Sequence, residues 1–280
     1  MDFWSSIYSG EVGFVRNALL ASILSSILFG IIGSIVSVKK ITSLAGSISH
    51  SVLGGVGIAL FLSANNILKN FSPVLGAALF GIFTAIIIAF VSLKAKQKED
   101  TVINALWAVG MGLGILFMAK TPQYADPMSY LFGNILLVSD VNLMLLALLD
   151  IVVVMLIVRF YPQIEALIFD EDFAKTRGIN TDLIFVILLV VTALAVVILQ
   201  TFVGIIMVIA MFALPAGIAS YFSKSLSKMM FLATLLSAFF SIAGLWISWE
   251  LDLPSGSVIV VFSGAVYLLA SIVMAIKRKI

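Results

Sequence analysis

Few side chains in this 280-residue chain can do chemistry inside an apolar setting, and one of them is its single histidine. His50 lies in "LAGSISHSVLGGVG", flanked by Ser47, Ser49 and Ser51, with Gly46 four residues before it and Gly54 four after. On a helix, Gly46, His50 and Gly54 share one face. A neutral imidazole is a good ligand for late first-row divalent metals. The small residues around it allow either close helix packing or an open passage beside the ring. Two readings stand side by side: a histidine hydrogen-bonded across a small-residue interface, or a ligand on a metal path. Asp150, in "LALLDIVVV", is a second ionisable residue set deep in an apolar run. Such groups at membrane depth are functional-site candidates by default.

The elements that position these residues are membrane spans. The chain is 62% hydrophobic and only 11% charged, where a soluble domain carries about 25% charged residues. The formal charge of +2 gives no footprint for nucleic acid, and with no cysteine there is neither a disulfide nor a thiolate metal site. The opening residues carry two acids and no base, unlike a cleavable signal peptide. Polar breaks delimit nine candidate helices: 12–38, 41–63, 73–93, 101–119, 139–158, 183–200, 203–221, 229–249 and 258–276. The sixth and seventh are separated only by "LQTFVGI", which leaves eight spans as the alternative. Every lysine and arginine except Arg16, Lys69 and Lys120 falls on alternate connections. The positive-inside rule makes that side cytoplasmic, with the N-terminus outside and the C-terminus inside. The expectation is an all-α polytopic membrane protein of one domain, residues 1–280.

His50 stands nine residues into a span that starts at the cytoplasmic side, about 14 Å deep at ~1.5 Å per residue. Asp150 is at a similar depth, and a packed, protonated carboxyl is its plain alternative. Met207 and Met211 sit one turn apart, a spacing that usually means packing. Pro215 is expected to kink the seventh span. Gly110, Gly112 and Gly114 form a G-x-x-x-G face, expected to pack helices closely and to serve a dimer interface. The outer connections carry Asp126, Glu250 and Asp252, placed to draw a cation to the mouth or to meet an external protein.

One cytoplasmic connection is substantial, residues 159–182. Within it "FDEDFAKTRG" is punctuated as a short helix: Asp170, Glu171 and Asp172 at the start, Lys175 in the last turn, Gly178 as the left-handed stop. It reads as a solvated turn or as a coupling helix that docks on another protein.

These stretches together resemble the permease subunits of ATP-binding-cassette importers for zinc, manganese and iron. "SLAGSISHSVLGGVGIA" is similar to the family's second helix, "WAVGMGLGILF" to the fourth, and "SYLFGNILLVS" to the segment before the fifth. "FDEDFAKTRGI" is similar to the coupling loop, "VGIIMVIAMFALPAGIA" to the seventh helix, and "LDLPSGSVIVV" to the last loop and helix. The resemblance implies a homodimer of permease chains in a bacterial or archaeal cytoplasmic membrane. It also implies cytoplasmic ATPase subunits, an extracytoplasmic metal-binding protein, and a transported divalent metal, zinc first and manganese or iron as alternatives, with no permanent cofactor. Many members carry an aspartate where this chain has Gly46, so the carboxylate of a His–Asp pair is missing here, and Asp150 is the candidate to replace it. The chain has no G-x-x-x-x-G-K-[ST] phosphate loop, so ATP hydrolysis is expected on a partner. The rival reading, an intramembrane hydrolase using His50 with a neighbouring serine, lacks an oxyanion hole, because helix-interior amides are already bonded.

Overall fold

The computed structural model describes residues 13–94, 99–122 and 126–277. Lys96, Lys98, Arg278 and Lys279, counted above on the cytoplasmic side, lie outside them, as does Val12. The described residues are helical with no strand. The helices are α1 (Gly13–Val38), α2 (Thr42–Ala64), α3 (Pro73–Lys94), α4 (Glu99–Ala119), α5 (Pro127–Phe132), α6 (Asp140–Phe169), α7 (Glu171–Thr176), α8 (Thr181–Val203), α9 (Ile205–Phe222), α10 (Leu226–Leu251) and α11 (Ser255–Lys277), with a 3-10 turn at Ile135–Leu137. All but α5 and α7 contain a segment long and apolar enough to cross a membrane, nine among the described residues.

Helix starts are set by side-chain caps, because the first backbone N–H groups have no partner within the helix. Ser72 Oγ accepts from Leu75 N at 3.2 Å, ahead of a helix that opens on Pro73. Ser139 Oγ accepts from Asn142 N at 3.2 Å, and Asn180 Oδ1 from Leu183 N at 3.0 Å. The break between α8 and α9 falls at Gly204, whose φ of 80° is left-handed and suits only glycine. That supplies the ninth span.

One expectation needs correction. The fifth span does not end near Val158: α6 continues to Phe169, so the first part of the 159–182 connection is helical. Its one non-helical residue is Phe160 (φ −115°, ψ 17°), two before Pro162. The missing proline N–H and its ring break the ladder there, and the polar residues that signalled a loop ride on the kinked extension. Pro215 lies inside α9, which is continuous from Ile205 to Phe222.

The described residues form two compact units. The first holds α1, α9, α10, α11 and the segment from Phe132 to Met155. Its closest pairing is α1 on α10, where a Cβ at Gly30 would collide with Thr234. A Cβ at Gly33 would lie 2.6 Å from the Phe212 carbonyl oxygen. Phe29 and Phe212 meet edge to face at 5.6 Å beside these contacts. Gly133, also left-handed (φ 59°), brings its backbone against Gly204. The second unit holds α2, α3, α4, α7, α8 and the end of α6. Its centre is α2, packed through Gly55 on Gly76 of α3 and through Gly54 and Gly57 on Gly110 and Gly114 of α4.

Candidate functional site

His50 sits near the middle of α2, on the side that faces α4. Two serines fix the register of the pair: Ser47 Oγ donates to the Ile103 carbonyl oxygen and Ser51 Oγ to that of Leu106, both at 2.8 Å. One turn further along, a Cβ on Gly54 would stand 2.7 Å from the Gly110 carbonyl oxygen. Gly110 and Gly114 are therefore spent on a seam within this chain, the close helix packing expected of that motif; Gly112 alone looks onto open space. Gly46 also has nothing near it. The small-residue face thus packs tightly beyond the histidine and lies open before it.

The imidazole is half-buried. Its ring centre lies 4.9 Å from that of Trp107, with 34° between the planes. Its Nδ1 is enclosed and has no hydrogen-bond partner. Sequence reasoning missed Trp107. The signal was present, since Trp107, Gly110 and Gly114 share one face of α4 at spacings of three and four. The serines around His50 are committed elsewhere, Ser47 and Ser51 to α4 carbonyls and Ser49 to Ala45 O at 2.8 Å. None is hydrogen-bonded to the ring, which removes the nucleophile the hydrolase reading required.

Asp150 belongs to the other unit. It is 4% exposed, and neither carboxyl oxygen has a partner. Gln200 is buried too, at 3% exposed with Oε1 unpartnered. Met207 and Met211 are core side chains. No cluster of three or more His, Cys, Asp or Glu able to hold a metal occurs among the described residues.

Two of the outer acids, Asp126 and Asp252, stand at helix ends. Asp126 Oδ1 accepts from Met128 N at 3.0 Å at the start of α5, and Asp252 ends α10 in the left-handed region (φ 51°). Glu250 is exposed near the same end. On the opposite, basic side, Asp170 Oδ1 accepts from Phe173 N at 2.9 Å and caps α7. Gly178 turns the chain away at φ 76°. Lys175 reaches back one turn to Glu171 at 2.9 Å and lies 4.0 Å from Asp182. The hydrogen bond to Glu171, with the charges of Glu171, Asp182 and Asp172, raises its pKa above that of a free lysine. Ala174 is buried, which seats this two-turn helix, while Phe173 and Arg177 stack at 5.1 Å on its exposed side.

Comparison with known proteins places this arrangement. Residues 11–274 match the profile of the ABC 3 transport family. A protein of Chlamydia trachomatis named "Probable metal transport system membrane protein" is 38% identical over 263 residues, covering 94% of this chain and 88% of that protein. The manganese transport system membrane protein MntC of Listeria innocua is 33% identical over 261 residues, 93% of this chain and 90% of its own. Among solved structures, PsaBC from Streptococcus pneumoniae in complex with Fab superposes with a TM-score of 0.83 at 30% identity, over 96% of this chain and 94% of that one. With its nine apolar helices and this match over nearly its whole length, the chain is a multi-pass permease of the bacterial cytoplasmic membrane and belongs to the ABC 3 transport family.

Proposed function

We propose that the chain is the membrane subunit of an ATP-driven importer for a divalent transition metal, and that His50 is a transient ligand on the route. ATP hydrolysis belongs to a separate subunit. The observation that carries the reading is the half-buried imidazole of His50, the chain's only one, on an inner helix face beside open space at Gly46. A complete tetrahedral set would hold zinc rather than pass it, and no such set exists among the described residues. Two permease copies enclose the route, an external metal-binding protein delivers the ion near Asp126, Glu250 and Asp252, and the capped helix at Asp170–Gly178 takes up the movement of the ATPases.

Zinc ranks first from the imidazole alone. The relatives named for manganese in Listeria and Streptococcus support manganese instead. The test is competitive uptake of manganese, zinc and iron by the reconstituted complex. The expected result is preferential manganese uptake that collapses in His50→Ala while ATP hydrolysis persists. Full uptake by His50→Ala would exclude the ligand role.

A further inference from the structure

A metal-binding histidine ordinarily donates its second ring N–H to a carboxylate, carbonyl or water, which fixes the ring and raises its basicity. His50 has no such partner: Nδ1 is enclosed and unpaired. Its aromatic neighbour is the indole of Trp107, with ring centres 4.9 Å apart. We propose that Trp107 is the positioning residue of this site, orienting the imidazole by ring stacking where other metal sites use a hydrogen bond. The proposal rests on the reading of His50 as a ligand and specifies how that ligand is held.

Three observations give the indole the rigidity this role needs. Ser47 ties α2 to Ile103, one turn before Trp107, and Ser51 ties it to Leu106, the residue adjacent. One turn after, a Cβ on Gly110 would lie 2.6 Å from Ser51 Cα, so the two backbones are already in contact. The helices cannot slide, and the indole stays opposite the imidazole. Its remaining surface is open, with Trp107 46% exposed. Enclosure of Nδ1 leaves Nε2 as the nitrogen that meets a cation. The indole face alongside attracts positive charge at about 6 Å or less. An imidazole oriented by stacking gains no basicity from a hydrogen-bonded acceptor and so forms a weaker bond to the metal. That weakness suits an ion that must leave again.

Because His50 is the only histidine, isotope-labelled histidine gives a single imidazole in the spectrum of the assembled complex in lipid nanodiscs. Without metal, the ring protons should carry the ring-current shift of a nearby indole. Trp107→Leu should abolish that shift and reveal a second ring orientation, and Trp107→Phe should keep part of it. In manganese uptake, Trp107→Leu should raise KM about ten-fold, the lower range for loss of an orienting partner, with the maximal rate little changed. Trp107→Phe should restore most of the difference. Imidazole signals identical in wild type and Trp107→Leu overturn the proposal. So does an unmoved KM in Trp107→Leu when uptake still depends on His50. Uptake indifferent to His50→Ala overturns the ligand reading itself, and the positioning role with it.

Discussion

Ser51, one residue past His50, donates a hydrogen bond from its hydroxyl to the carbonyl oxygen of Leu106, one residue short of Trp107, at 2.8 Å. That bond spans two helices and fixes which side chain of α4 faces the histidine. Interhelical hydrogen bonds in membranes contribute about 0.6 kcal/mol on average. Ser51→Ala should therefore lower thermal stability only slightly, while broadening the His50 imidazole resonance. Tm and the histidine spectrum of the same sample measure both.

The glycine seam should be far less forgiving. Gly110→Ala places a methyl 2.6 Å from Ser51 Cα and 3.0 Å from its Cβ. Overpacking of this kind costs about 1–3 kcal/mol. Gly112→Ala, two residues on, meets nothing within 4 Å and should stabilise the helix by about 0.5–1 kcal/mol. Opposite shifts in Tm for these neighbours would verify the packing.

Much of this was readable beforehand. Runs of apolar residues between polar breaks located all nine spans, because backbone groups in lipid must be satisfied within a helix. Asp170 and Gly178 marked the ends of α7, since cap chemistry is local. Trp107 was not found, because the rotation of α4 against α2 is decided by contacts between residues some fifty-five apart. The extension of α6 past Val158 was also missed: Arg159, Pro162 and Glu165 spell a loop, yet the helix bends at Phe160 and continues.

Gly204 holds the boundary between α8 and α9 at φ 80°. With ψ at 160° as well, an alanine there adopts a conformation that costs about 1–3 kcal/mol. Gly204→Ala should reduce the yield of folded permease, by size-exclusion profile, whereas Gly112→Ala should not.

Asp150 presents the reverse case. Its carboxyl is buried with both oxygens unpartnered, so Asp150→Asn breaks no hydrogen bond and removes a group costly to ionise in an apolar interior. Tm should hold or rise. If Asp150 serves the metal route, uptake at limiting manganese should fall in the same variant; unchanged uptake would reduce it to a packing residue.

Asp170→Ala removes the α7 cap, a loss of about 1 kcal/mol to a helix of six residues. Uptake should drop sharply while ATP hydrolysis by the complex continues, uncoupled from transport. A strict parallel decline of both activities would argue against a coupling role.

Where glycine backbones touch, as at Gly54 on Gly110 and Gly57 on Gly114, no rotamer can switch and no side chain can swing aside. The two helices must travel as a single rod through every stage of the pumping cycle. The gate has to be sought along other seams of the molecule, those filled by bulky residues that can yield, while the imidazole and its indole ride together.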